Sequence, residues 1–348
     1  MKNCFLVLAN GRAFEGVRFG DDLNADGELV FTTTTSHMST LTDPCFAGQI
    51  VLQTSPLIGN YGIIPSQMDS DCCHLSGYVV KEWCEFPVNF QSEGDVDAFL
   101  KSHRIAGVCG VDTRQITRIL REEGTMRAAI ADQVTPELIA SLNQPAAPIA
   151  LPATPPATHP AQCEKHGTFA FINCGAPHGI ITALTMRGFD ICEFPHTASL
   201  CDIQSSGAEA VIIGDGPGDP STAPESLLSL IQALWDMPML GIGFGHLLMA
   251  RSASGAVYKL HHGHRGANQP IQRVSDAKVF ISSLNQGYAA EVPSGATVIY
   301  RHLNDGSVAG LSYANGMSVQ FVPDATLGPL KTDFIYDEFI ASIGKVVG

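Results

Sequence analysis

Three short segments hold the residues whose types and spacing could support chemistry. The first is GDGPGDP, Gly214 to Pro220, at the end of an apolar run. Its glycines let the backbone approach a ligand and aim N–H groups at an anion. A tight turn with no ligand explains the same residues. The segment lacks the terminal Lys-Ser/Thr of a phosphate loop and does not match the dinucleotide fingerprint. The second is GIGFGHLLMA, Gly241 to Ala250, which reads as apolar strand, x-G-x-G turn and helix. That is the shape of a nucleophile elbow, where a Ser or Cys is held at strained angles over a helix terminus. The apex here is Gly243, which has nothing to attack with. The third is SVQFVPDATLGP, Ser318 to Pro329, where a base and its orienting acid would reach back to the elbow. It offers Asp324 but no histidine. A nucleophile needs an adjacent base, and the base a third group. Two of those three posts are empty.

These segments sit in the second half of the chain, where strands and helices alternate. TFAFINCG, FDICEFP, AEAVIIGDGPGDP and PMLGIGFG read as strands, and PHGIITALTMRG, APESLLSLIQALWD and HLLMARSASG as helices. A helix-poor loop is expected after FDICEFP. Nearly all-apolar strands alternating with helices indicate a parallel sheet covered on both faces, and ligands in such sheets bind beyond the C-terminal strand ends. KVFISSLN, TVIYRHLND, VAGLSYANG and MSVQFVP are more β in character, and FIYDEFIASIG is a closing helix.

Residues 144–162, QPAAPIALPATPPATHPAQ, carry six prolines and no Lys, Arg, Asp or Glu, which predicts an extended connector. It separates an N-terminal domain, 1–143, from a C-terminal domain, 163–348. FLVLANGRAFEG opens the first with two apolar runs across Asn-Gly, a hairpin signal. ELVFTTTTS, QIVLQTSPLIG, GYVVKEWC and IAGVCGV predict further strands, with polar loops after the first of them; DVDAFLKSHR predicts a short helix. TRQITRILREEG is an amphipathic helix with Ile116, Ile119 and Leu120 on one face, Arg114, Arg118 and Arg121 on another, and Asp112 or Thr113 as cap. No βαβ rhythm runs through this domain. The fold class is α/β, with a mostly parallel C-terminal sheet flanked by helices and a smaller, mixed, β-rich N-terminal domain.

Composition excludes several classes. The 348 residues carry 34 acidic and 20 basic side chains, a formal charge of −14, which disfavours a nucleic-acid surface. Mean hydropathy is +0.12, yet no apolar run reaches the ~18 residues of a membrane span. All ten cysteines fall between Cys4 and Cys201, with no CxxC and only Cys72-Cys73 adjacent. They read as mostly reduced, buried small hydrophobes in a cytoplasmic protein, and the start of the chain does not read as a signal peptide. His261, His262 and His264 crowd together in KLHHGHRG, but neighbours at i and i+1 seldom share a metal ion, and no metal site is expected.

On LVLANGRAFEG, LTDPCFAGQIVLQTSPLIGNYG, GVDTRQITRILREEG, GDGPGDP, GIGFGHLLMA, GHRGANQP, LNQGYA and VQFVPDATLGP, the chain resembles the small, glutamine-amidotransferase subunit of carbamoyl phosphate synthase. The likeness runs essentially end to end. It implies a class I glutaminase-like second domain, in which a Cys-His-Glu triad hydrolyses glutamine. The ammonia passes to a large partner subunit that makes carbamoyl phosphate from bicarbonate and ATP, for pyrimidine and arginine synthesis. ATP and magnesium would belong to that subunit, so no cofactor is expected here. Against the family pattern, Gly243 stands at the cysteine, Val322 at the base histidine and Asp324 at the acid. Phe321 adds bulk where glycine is usual, Leu247 replaces a substrate-contacting glutamine, and Gln286 replaces a histidine. The resemblance leaves Thr34, Gly216, Gly218, Phe244, Leu247, Asn285, Gly287 and Tyr288 as vestigial glutamine-binding positions.

Valine cannot shuttle a proton and glycine cannot form a thioester. His246 is expected to be structural, and Cys174 or Cys201 is not expected to substitute as nucleophile. Tyr61, Trp83 and Trp235 are expected to be core or interface aromatics. Arg114, Arg118, Arg121 and Arg127, with Glu122 and Glu123, are either a solvated helix face with intrahelical pairs or a contact with the large subunit, with Met38 and Phe46 on the same surface. The expected function is therefore a small-subunit homologue without glutamine hydrolysis that supports a large subunit working from ammonia. The alternatives are a stand-alone pseudoenzyme that binds an amino-acid-like ligand in the altered crevice, an active glutaminase using unrecognised residues, and an inert copy.

Overall fold

The computed structural model describes residues 2–323 and 332–344, so Asp324 lies outside the described residues. Two compact units form. One is Met1–Ile149 together with His261–Arg265, and the other is Ala150–Leu260 with Gly266–Gly348.

The first unit holds β1 (Asn3–Leu8), β2 (Ala13–Gly20), β3 (Ala25–Thr32), α1 (His37–Thr42), β4 (Gln49–Gln53), β5 (Leu57–Ile58), β6 (Gly77–Val79) and β7 (Glu82–Trp83). After these come α2 (Val96–Ser102), β8 (Ala106–Cys109), α3 (Thr113–Glu123), β9 (Met126–Ala131) and α4 (Pro136–Leu142). Seven strands close a barrel in the order β1-β2-β8-β6-β4-β3-β9, and β5 pairs with β7 apart from it. β1 and β2 form the antiparallel hairpin that Asn10-Gly11 predicts, with Val7 opposite Ala13. β3, β4, β6 and β8 pair in parallel, so the barrel is mixed.

The barrel strands are apolar on both faces because both are covered. Leu29, Phe31, Ile50, Leu52 and Val79 point into one cluster with Ile116, Ile119 and Leu120 of α3. Their neighbours Val30, Val51, Tyr78 and Val80 enter another with Val96, Phe99 and Leu100 of α2. This is the period-two alternation of a strand feeding two cores at once. Met38 and Phe46 belong to the second cluster and are 2% and 4% exposed, so they form no contact surface with the arginines. Tyr61 is exposed, while Trp83 stacks on Phe19 with ring centroids 5.7 Å apart.

The second unit begins within the expected connector. β10 (Ala157–His159) pairs antiparallel with β12 (Phe189–Pro195), so part of the Pro/Ala segment is an edge strand. The other elements are β11 (Gly167–Asn173), α5 (Gly179–Thr185), α6 (Leu200–Ser205), β13 (Ala210–Ile213), α7 (Glu225–Ala233), β14 (Met239–Ile242) and α8 (Phe244–Ser252). Then follow β15 (Val257–Arg273), β16 (Val279–Ala290), β17 (Thr297–His302), β18 (Val308–Tyr313), β19 (Gly316–Val319) and α9 (Phe334–Ser342). One ten-stranded sheet runs β10-β12-β11-β13-β14-β19-β18-β17-β15-β16. Its β12-β11-β13-β14-β19 section is parallel, and β17, β18 and β19 are antiparallel. Phe169, Phe171, Ile212 and Ile242 pack on one face, and Ala170, Ile172, Val211 and Ile213 on the other. Trp235 packs at the edge of the second of these clusters.

Local capping explains the short helices that periodicity does not reveal. The stretch after β12 is not helix-poor: Ser199 and Asp202 form a capping box that starts α6. Ser36 caps α1, and Thr135 with Pro136 at the first position starts α4. No described helix is long and apolar enough to cross a membrane.

Candidate functional site

The three chemistry-bearing segments follow adjacent parallel strands. The turn 214–220 follows β13, the elbow follows β14, and residues 320–323 follow β19. Register brings the last two together: Ile242 pairs with Val319, and the Gly243 N–H donates to the Val319 carbonyl at 2.9 Å. Gln320 donates its side-chain amide to the Gly243 carbonyl at 3.3 Å. The site therefore lies where open α/β sheets place ligands.

Gly243 retains elbow geometry without elbow chemistry. Its φ is 57° and ψ is −111°, a left-handed conformation that strains any residue with a Cβ. With glycine at the apex the strain disappears, along with the nucleophile. The Asp215 carboxyl fills the adjacent space, and a Cβ built on Gly243 would overlap it. Asp215 Oδ1 accepts from the Phe244 N–H at 2.6 Å and from the Gly216 N–H at 2.8 Å. Asp215 is 4% exposed. The sequence leaves two readings of the glycine turn open, N–H groups aimed at an anion or a tight turn with no ligand. The anion is the turn's own aspartate, and its signal was an acid between two turn glycines at a strand end.

The base position is equally silent. Val322 makes an isolated bridge to Ser283, donating its N–H to the Ser283 carbonyl at 3.1 Å, and its side chain packs on the main core cluster. Phe321 is 1% exposed and meets Tyr300 edge to face at 5.5 Å. His246, in the first turn of α8, is fully buried with Nδ1 2.7 Å from the Ser318 hydroxyl. Burial pulls its pKa down to about 3, so the ring is neutral at pH 7. Cys174 is fully buried and its thiol is pushed up to about 12, by burial first and the Asp215 charge second. Cys201 sits exposed on α6.

The expected ligand-contact residues divide. Gly216 lies tight against the Cys174 carbonyl, where a side chain would clash, and Gly218 in the same turn has a φ of 96°. Leu247 packs with Ala250, Ala290, Val308 and Leu311, and Tyr288 packs against that cluster. Asn285, Gly287 and Tyr288 all lie on β16. Thr34 belongs to the first unit, where its carbonyl accepts from the Gln53 side chain.

In the first unit, α3 presents its three arginines to solvent. Arg118 pairs with Glu122 at 2.8 Å, and the Arg121 guanidinium stands 5.4 Å over the Phe31 ring. Together with Arg114, Thr33, Thr54, Thr113 and Thr117 they line a groove of about 430 Å3. The KLHHGHRG histidines pack rather than cluster freely: His262 stacks on Phe31 at 5.8 Å, and His261 Nε2 is 3.2 Å from the Glu122 carbonyl.

Comparison with known proteins agrees with this architecture. Residues 6–130 match the family described as carbamoyl-phosphate synthase small chain, CPSase domain, and residues 170–342 match glutamine amidotransferase class-I. The carbamoyl phosphate synthase small chain of Oceanobacillus iheyensis is 37% identical over 350 residues, covering 98% of this chain and 96% of that protein. The small chain of Caldanaerobacter subterraneus subsp. tengcongensis is 38% identical, covering 97% and 95%. That of Clostridium acetobutylicum is 35% identical, covering 96% and 98%. With the likeness extending over both units, the chain belongs to the carbamoyl phosphate synthase small chain family.

Proposed function

We propose that this chain is a small-chain homologue that has lost glutamine hydrolysis and serves a large partner subunit making carbamoyl phosphate from ammonia, bicarbonate and ATP. The observation that carries the reading is Gly243 at the apex of a turn that keeps the backbone conformation of an elbow. Acyl transfer needs a nucleophile, a base and donors for the oxyanion. Glycine supplies no nucleophile, Val322 no base, and neither His246 nor Cys174 is in a protonation state or position to replace them. ATP and magnesium would bind the large subunit, and synthesis would take place in the cytoplasm.

The preserved contact would involve the first unit. Arg114, Arg118 and Arg121 stand exposed along one helix in a chain of net charge −14, which suits an acidic patch on the partner. The test is co-expression with a large subunit, followed by carbamoyl phosphate assay. Formation from ammonium but not from glutamine is the expected result, and ammonia release from glutamine by this chain would refute the reading. Reversing Arg114 and Arg118 to glutamate should weaken co-purification, most visibly at low salt; unchanged co-purification would move the contact elsewhere.

A further inference from the structure

We infer that Asp215 is a built-in occupant of the elbow's oxyanion pocket, which closes the crevice to an incoming carbonyl independently of the missing nucleophile. The inference rests on the reading of a silent elbow and adds a second, separate lock to it.

The argument begins with the donors. An elbow stabilises a tetrahedral oxyanion with the N–H of the residue after the apex and a second N–H from a neighbouring loop. Phe244 follows the apex and opens α8, where the free N–H groups and the helix dipole favour negative charge. Gly216 lies in the turn beyond the adjacent strand β13. Both N–H groups converge on one atom, Asp215 Oδ1, at 2.6 and 2.8 Å. Those are distances for a charge-assisted bond, and the pocket is already satisfied.

The same carboxyl also blocks the space above Gly243. A Cβ at the apex would overlap its carbon and both oxygens, so a side chain there and Asp215 exclude each other. Gly243 and Asp215 are thus one device. Glycine makes room for the carboxyl, and the carboxyl satisfies the buried Phe244 donor and the part-buried Gly216 donor. Restoring a thiol at the apex, even with a histidine at 322, therefore sets the new side chain against Asp215, and a carboxylate pushed aside within the same turn still competes for the two donors and stands beside the sulfur. A neighbouring carboxylate disfavours thiolate.

The experiment compares G243C with G243C/D215G and G243C/D215N. Iodoacetamide labelling at position 243 is followed by peptide mass spectrometry, with exposed Cys201 as internal reference. Removing bulk and charge together should speed alkylation at least about ten-fold, because thiolate fraction and access both rise. The Asn variant, which removes charge and keeps bulk, should fall between. Equal rates for G243C and G243C/D215G would overturn the inference. Should G243C fail to fold, D215G in the natural elbow gives a second readout. Titrated acetate should shift the Phe244 and Gly216 amide resonances of D215G and leave those of the unaltered chain in place. An equal response in both proteins would likewise overturn it. Neither outcome depends on glutamine hydrolysis by the unaltered chain, so the lock and the functional reading can fail separately.

Discussion

Helices α3 and α8 each begin with a carboxylate at the N-terminus, yet the two carboxylates come from different distances. Asp112 is the cap residue of α3 itself and accepts from the Gln115 N–H at 3.0 Å, three residues on. At α8 the cap residue is Gly243, which has no side chain to offer, and the carboxylate is Asp215 of the turn after β13. The electrostatics are the same in both places, since exposed N–H groups and the helix dipole attract negative charge. The consequences differ. A local cap fixes only the first turn of its own helix. A cap brought from another strand ties two loops together, and here it does so over the position where a nucleophile would stand.

The largest expected effect tests that difference directly. D215A leaves one buried N–H, Phe244, and one part-buried N–H, Gly216, without their charged acceptor, at a cost of about 3 kcal/mol. Because the chain has two units, the proper readout is local, namely native-state hydrogen exchange at the Phe244 amide. Exchange there should accelerate roughly a hundred-fold, while Gln115 is unaffected. If Phe244 exchange is unchanged, the long-range cap contributes no more than water would, and the contrast between the helices disappears.

A pH series sharpens the comparison, because α8 also buries His246 in its first turn. The ring is held neutral, with a folded pKa of about 3 against an ordinary value near 6.5. The unfolded chain therefore takes up a proton that the folded chain refuses, and stability falls as pH drops from about 6.5 toward 3. At pH 5 the loss is about 2 kcal/mol, carried by the second unit. His37 in the first unit is likewise lowered by burial and adds to the same trend there. Denaturation at pH 7 and pH 5 should show the decline in the natural chain and a smaller one in H246Q. Equal declines would assign the acid sensitivity to other groups.

Legibility in the sequence followed the range of the interaction. The α3 cap is legible because Asp112 stands next to its helix, and the core face is legible because Ile116, Ile119 and Leu120 repeat at helical spacing. The elbow is legible because strand, glycines and helix are contiguous. Asp215 was not, since its partner at Phe244 is 29 residues away and only the pairing of β13 with β14 brings them together. Met38 and Phe46 went astray for a related reason. Nearness along the chain does not fix which surface a residue joins, and α1 and the 3-10 turn after it fold their side chains into the cluster with α2. Helices α1, α4 and α6 are too short for periodicity to show. Their signals are local caps, Ser36, Thr135 followed by Pro136, and the Ser199–Asp202 box.

The smallest effect separates charge from geometry. At α3, D112A should cost about 1 kcal/mol, and D112N only a few tenths, because asparagine caps nearly as well as aspartate. Hydrogen exchange at the Gln115 amide is the measure, and α3 is exposed enough along its arginine face that packing will not mask a frayed first turn. The matching D215N at α8 should behave differently. Its amide must present oxygen to two N–H donors at once, in a space where its own nitrogen also needs an acceptor. If D112N and D215N turn out equally mild, the carboxylate at the elbow is an ordinary cap that happens to come from afar. If D215N is clearly worse while D112N is silent, the negative charge itself is what the elbow selects.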